Sequence, residues 1–309
     1  MATQLAPDIN VTAIRPLRID LPTTHLQVHG LRGGSQGGMP LLLLHGWPEW
    51  SHVWRPVMAQ LSNLSTDFDL VAPDLRGFGA TQPRASAPDN TVGPERHAED
   101  LLALADALGW TSFGIVSHDV GSFIAQVIAR RAPERVKGLF FFNCAYPGIG
   151  ARWFAPRHVS ELWYQFFQQL PWAAELVGSS RETCRLYLRH FLQHWSHQQD
   201  WIEPELEAWV DNFMQPGALQ GGFDWYSSVH ETRMAAIEGR TTPAPITLPT
   251  RVLWGADDPV LLAAWTDRLG EFFTDLRLDV LPEAGHFVHL ERPDQAAREI
   301  ATFFEGKFD

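Results

Sequence analysis

Apolar residues fall into short unbroken runs that alternate with stretches of helical spacing through the first half of the chain. Runs at 41–44, 70–72, 113–116 and 136–142 predict buried strands, because parallel strands covered on both faces read as continuous apolar segments. Ala98, Leu101, Leu102, Ala105 and Leu108 share one helical face and predict a helix over about 95–108. A second helix is predicted over 122–131, with Phe123, Ile124, Val127 and Ile128 as its inward stripe. The alternation stops near residue 147. From there to about 245 the pattern is helical and aromatic, holding seven of the 13 tryptophans, and no run reads as a strand. Residues 242–249, with Pro243, Pro245 and Pro249, read as a return linker. Strands resume at 251–254 and 276–281, and a helix over 293–304 begins with proline in its first turn. The expected fold class is therefore α/β: a mostly parallel central sheet with helices on both faces, built from 1–146 and 246–309, with an inserted helical cap at 147–245.

Composition narrows the partners rather than the fold. The 309 residues are 45% hydrophobic and 19% charged, ordinary for a globular enzyme, with no internal repeat or low-complexity segment. A formal charge of −12 lacks the positive field that nucleic acid or an anionic membrane surface requires. No apolar stretch approaches the ~18 residues of a membrane span, and residues 1–10 lack the basic-then-apolar pattern of a signal peptide. Cys144 and Cys184, the only two cysteines, read as free thiols in a reducing cytosol, so a cytoplasmic location is expected. The oligomeric state stays open, with a homodimer among the options. No Walker-type phosphate loop or dinucleotide fingerprint is present, and no cofactor is expected. His190, His194 and His197 lie at helical spacing but lack an acidic partner of the metalloprotease kind, and are read as surface or packing residues, not as a metal site.

The chemistry gathers around Asp119. Ser117, His118, Asp119, Val120 and Gly121 lie between an apolar run and an amphipathic stretch, which is the strand, tight turn and helix of a nucleophile elbow with aspartate where serine is usual. The turn demands small residues two before and two after its centre, and Ser117 and Gly121 supply them. An exposed Asp in such a loop is also a common helix cap. Its partners follow other strands. Gly255, Ala256, Asp257 and Asp258 come after one strand and Gly285 and His286 after the next, where open α/β sheets place active sites. Nucleophile, acid and base then run in the α/β-hydrolase order Asp119, Asp258, His286. Asp257 is expected to face solvent or cap the next helix, and no carboxylate follows the strand ending at Asn143. His45, Gly46, Trp47 and Pro48 follow the first buried run, so the backbone N–H groups of Trp47 and Val120 form a candidate oxyanion hole. His45 and His118 read as structural, His118 pointing away from the nucleophile across the pleat. Gly77 and Gly79 read as a loop turn.

The stretches His45 to Pro48, Asp74 to Gly79, Ser117 to Gly121, Gly255 to Asp258 and Gly285 to His286 resemble the α/β-hydrolase-fold epoxide hydrolases. Leu162 to Gln168 and Gly221 to Tyr226 resemble the two cap segments of the bacterial members. The resemblance implies that Tyr164 and Tyr226, two of only four tyrosines, hold the epoxide oxygen, and that Trp47, Pro48, Trp163 and Phe167 line the substrate pocket. It also implies a small neutral apolar epoxide and water as reactants. Ser117 stands where glycine is commoner, and Val120 where an aromatic residue is frequent, which removes one wall of the expected pocket.

A carboxylate nucleophile attacking saturated carbon forms an ester that a second step must hydrolyse. Epoxide opening leaves an alkoxide that needs neutral hydroxyl donors, which suits two phenols. The alternative is a haloalkane or haloacetate dehalogenase using the same aspartate, whose leaving halide prefers indole or amide N–H donors. Related dehalogenases carry Trp or Arg directly after the nucleophile and often Asn after the His-Gly pair, where this chain has Val120 and Trp47. A third reading, a silent relative that binds an apolar ligand, leaves Asp119, Asp258 and His286 without a reason to occur together.

Overall fold

The computed structural model describes residues 14–64, 67–82 and 92–307. The reading of residues 1–10 lies outside them. Eight strands form one sheet: β1 (Arg15–Leu21), β2 (Leu26–Gly34), β3 (Met39–Leu44), β4 (Phe68–Pro73), β5 (Phe113–His118), β6 (Val136–Phe142), β7 (Thr250–Gly255) and β8 (Leu276–Leu281). Their spatial order is β1-β2-β4-β3-β5-β6-β7-β8. From β4 to β8 every pairing is parallel, whereas β1 and β2 form an antiparallel extension at one edge. All six runs read as strands in the sequence are strands. The two missed are the edge pair, because exposure alternates along β1 and the apolar run that marks a doubly covered strand is lacking there.

Helices cover both faces. α1 (Arg55–Ser62), α2 (Pro94–Ala107) and α3 (Val120–Arg131) lie in the first half. Between β6 and β7 the described chain forms no strand; it runs through 3-10 turns at Pro147–Phe154 and Val159–Leu162, then α4 (Trp163–Phe167), α5 (Ala173–Val177), α6 (Arg181–Trp195), α7 (Ile202–Phe213), α8 (Ala218–Ser228) and α9 (His230–Ile237). α10 (Val288–Glu291) and α11 (Pro293–Phe304) close the fold. On α3 the buried stripe is Ile124, Ala125, Ile128 and Ala129. Phe123 and Val127, expected to face inward with them, are only partly buried and line a cavity instead. A helix wedged between sheet and insertion has two apolar faces, so a single inward stripe was too narrow a reading.

Strand register positions the site. Leu44 pairs with Ser117 and His118 with Phe142, so the loops after β3, β5 and β6 emerge side by side at the carboxyl edge. Gly255 pairs with Leu281 at the same edge, which brings the loops after β7 and β8 beside them. The helical insertion packs closely on this edge. In α8, a Cβ added at Gly221 would overlap the carbonyl oxygen of Gly77, whose own φ of +82° favours glycine.

Candidate active site

The turn between β5 and α3 places Asp119 at φ +42°, ψ −110°, a conformation that a non-glycine residue adopts only under constraint. Two neighbours impose it. A Cβ at Gly121 would lie 2.5 Å from the carbonyl oxygen of Leu44, and one at Gly46 would lie 2.8 Å from Cβ of Asp119, so both loops depend on glycine for their approach. The turn aims Asp119 out of the sheet, where Oδ2 accepts a hydrogen bond from the Trp47 main-chain N–H over 3.1 Å. Val120 begins α3, so its N–H belongs to the free donors of a helix N-terminus.

His286 and Asp258 meet as the chain order implied. Nδ1 of His286 lies 2.7 Å from Oδ2 of Asp258. Oδ1 of Asp258 accepts from the N–H groups of Val260 (2.8 Å) and Leu261 (2.9 Å), and Nδ2 of Asn143 donates to Oδ2. Burial alone would raise the Asp258 pKa, but His286, Leu261 and Asn143 outweigh it and hold the carboxyl below its ordinary range. His286 shows the reciprocal effect. Burial pulls it down, yet Asp258, then Asp119 and Glu49, leave it raised to about 9. Its Nε2 is buried and has no partner among the described residues, so it is the ring atom left for chemistry. Asp257 is half exposed and pairs with His197 over 2.8 Å, as a solvent-facing residue should.

Beneath these groups lies a buried polar layer. His118 bridges Glu49 (Nδ1 to Oε2, 2.9 Å) and the main-chain carbonyl of His286 (Nε2, 2.9 Å), pointing away from Asp119 as expected. His289 lies 2.9 Å from the other oxygen of Glu49, and Gly46 N–H donates to Oε2. Burial raises the Glu49 pKa, but His118 and His289 bring it well below the usual value. His45 is a turn residue, its Nε2 accepting from Leu75 N–H over 3.0 Å. The three histidines at helical spacing do not converge: His194 pairs with Glu161, His197 with Asp257, and His190 stacks on His194.

A cavity of about 750 Å³ opens above Asp119, lined by Val120, Tyr164, Tyr226, Phe123 and Trp153 among others. Tyr164 and Tyr226 come from α4 and α8 and meet edge to face, ring centroids 5.5 Å apart. Burial raises the pKa of both, and the nearby carboxylate of Asp119 adds to it, so both stay neutral donors. Four residues expected to line the cavity do not. Trp163 is 44% exposed, because Tyr164 takes the inward position on a short helix and its neighbour is rotated outward. Phe167 packs on Trp163, Trp172 and Tyr187. Trp47 is fully buried and stacks on the back of Tyr164 at 5.1 Å, and Pro48 presents its carbonyl to Trp209 Nε1. Sequence reasoning missed Gln165, Arg233 and Asn143, whose significance lies in long-range contacts.

The chain belongs to the alpha/beta hydrolase fold family, whose model matches residues 39–293. Among similar proteins, human "Epoxide hydrolase 4" is 29% identical over 292 residues, covering 91% of this chain and 76% of that protein. "Soluble epoxide hydrolase" of Corynebacterium sp. (strain C12) is 27% identical over 286 residues, covering 90% and 93%. The solved structure titled "Epoxide hydrolase CorEH without ligand" matches with a TM-score of 0.79 at 25% identity, over 94% of this chain and 98% of that one. This protein is thus an α/β-hydrolase-fold enzyme whose relatives include named epoxide hydrolases, in agreement with the motifs read from its sequence. No helix among the described residues is long and apolar enough to cross a membrane.

Proposed function

We propose that this protein is a cofactor-independent epoxide hydrolase converting a small, neutral, apolar epoxide to a vicinal diol through an ester on Asp119. The supporting observation is that two neutral phenols, Tyr164 and Tyr226, share one cavity with a carboxylate on a nucleophile elbow. The free oxygen of Asp119 attacks an epoxide carbon, the carbon–oxygen bond breaks, and a tyrosine passes its proton to the departing oxygen. Esterification removes the Asp119 charge that helps hold the His286 pKa up. His286, oriented by Asp258, then takes a proton from water, and hydroxide adds to the ester carbonyl. The resulting oxyanion faces the N–H groups of Trp47 and Val120. Its collapse expels the diol oxygen, which takes the proton from His286, and the proton remaining on Asp119 returns to the phenolate.

In this reading residues 147–245 form the cap over a core of 1–146 and 246–309. Two buried free thiols fit a cytoplasmic setting. A dehalogenase reading keeps one point in its favour: the buried Nε1 of Trp47 has no partner among the described residues and is the kind of donor a halide prefers, but its ring packs behind the cavity wall, so a halide reaches it only if that wall moves. Incubation with styrene oxide and, separately, with a chloroalkane decides between them: diol without chloride is expected, and chloride release without diol overturns the proposal.

A further inference from the structure

Tyr164 is held by the residue that follows it. Gln165 is buried, and its Nε2 donates to the phenol oxygen of Tyr164 over 2.8 Å. Its Oε1 accepts from Nη1 of Arg233 on α9. An amide can be turned either way, but a guanidinium offers donors only. The atom of Gln165 that faces Arg233 must therefore be the oxygen, and the atom that faces Tyr164 must be the NH₂. It follows that the Tyr164 oxygen is an acceptor in this contact and that its own proton is free to be given elsewhere.

Arg233 is itself unusually placed. Its guanidinium carbon lies 4.4 Å from the centroid of the Trp153 ring, which fixes the plane of the group. Nε and Nη2 are buried without a hydrogen-bond partner among the described residues. Most arginines with buried or half-buried side chains here pair with a carboxylate, as Arg76 does with Asp100 and Arg251 with Glu299. Arg233 pairs with none among the described residues, although it lines the same cavity as Asp119, Tyr164 and Tyr226. Burying a cation without an ionic partner is costly; the Trp153 ring and the Gln165 oxygen offset part of that cost, and negative charge offsets more where it develops nearby. The phenol of Tyr164, two hydrogen bonds away, is such a place.

We infer that Gln165 and Arg233 form a positioning relay for the first chemical step: Arg233 fixes the Gln165 amide, and Gln165 directs the Tyr164 proton toward the epoxide oxygen. As that proton leaves, the Gln165 N–H stays on the phenolate and the Arg233 charge stands behind it. Gln165 acts through Tyr164, whose oxygen it holds, and Arg233 acts through Gln165. The relay rests on the reading of Tyr164 as a proton donor, and the experiment separates the two.

Alkylation of Asp119 by styrene oxide is followed by rapid quench and intact mass in the full chain. Gln165→Glu is nearly isosteric and keeps the contact with Arg233, but it turns a carboxylate oxygen toward Tyr164, which captures the phenol proton. Alkylation should fall by about tenfold or more, with a smaller loss for Gln165→Leu and Arg233→Met, and recovery in Arg233→Lys. Hydrolysis of the ester, once formed, should keep its wild-type rate in each. In a Tyr164→Phe background none of these changes should add a further loss. If Tyr164→Phe is slow but Gln165→Glu alkylates at the wild-type rate, or if the losses multiply in the double variants, the relay is wrong and Tyr164 keeps its role. If Tyr164→Phe itself alkylates normally, both fall. Should Arg233→Met fail to fold, the Gln165→Glu result decides.

Discussion

The main-chain N–H of Trp47 donates to Oδ2 of Asp119 across 3.1 Å, so one oxygen of the elbow carboxylate is engaged before any substrate arrives. An oxygen held this way is the weaker nucleophile. In the proposed reaction the other one attacks, and the held oxygen becomes the ester carbonyl, already hydrogen-bonded to the donor that would stabilise the later oxyanion. One contact thereby prepares both steps of the proposed reaction.

The two-step scheme predicts the fate of isotopic label. A single turnover in heavy-oxygen water should leave label in the Asp119 carboxylate, because hydroxide adds to the ester carbonyl and not to the substrate. Peptide mass spectrometry reads this directly; label confined to the diol would mean that water attacks the epoxide itself. Asp119→Ala should abolish turnover by removing the nucleophile, and its far-ultraviolet circular dichroism should match the parent.

His286→Gln should stop the reaction after the first step, so that intact mass rises by the mass of the substrate and stays there. The pH dependence follows from the raised His286 pKa of about 9. A base acts only when unprotonated, so ester hydrolysis should rise with pH, and its midpoint should lie below 9 because the ester has lost the Asp119 charge. Stability runs the other way. The folded value exceeds the ~6.5 of an unfolded histidine, so the stability contributed by the charged His286 pairing is complete below that pH and disappears as pH climbs through about 9. Denaturant melts of wild type and His286→Gln should converge over that window; a gap that widens with pH would contradict the assignment.

How much of this was legible in the sequence depends on where each signal resides. The strands 136–142 and 276–281 are legible to the residue, and Asp258 and His286 are legible as residues that follow strand ends, because local pattern and strand-end position carry that information. Tyr164 was found by resemblance, yet its neighbours Trp163 and Phe167 were placed in the cavity wrongly, since five residues of helix carry too little periodicity to tell inward from outward. Gln165 and Arg233 are 68 residues apart and meet only through the tertiary fold, which no local pattern reports.

Gly221→Ala tests whether the insertion must sit closely on the sheet domain. The added methyl would collide with the backbone at Gly77, and backbone cannot swing aside as a side chain does. A loss of about 1–3 kcal/mol is expected for such overpacking. Tyr226 lies on the same helix, so turnover should fall at temperatures where the variant is still folded. Unchanged melting and turnover would show that the contact relaxes freely.

The leaving group decides which donors matter. If it is an epoxide oxygen, Tyr164→Phe and Tyr226→Phe should each slow alkylation, since removing one donor to a developing oxyanion costs roughly 3 kcal/mol, or about a hundredfold in rate. The double variant should be nearly inactive, because it removes both phenol donors that share the cavity with Asp119; Tyr146, also at its wall, is occupied in donating to the carbonyl of Trp265 over 2.5 Å. If the leaving group is a halide, loss of two hydroxyls should matter far less, and Trp47→Phe should matter more, since it deletes an indole N–H that has no partner among the described residues while keeping an aromatic ring against Tyr164. Rapid-quench alkylation rates for the three variants with styrene oxide and with a chloroalkane measure the contrast. A double tyrosine variant that opens epoxides at the wild-type rate would remove the strongest structural argument for epoxide hydrolysis in this cavity.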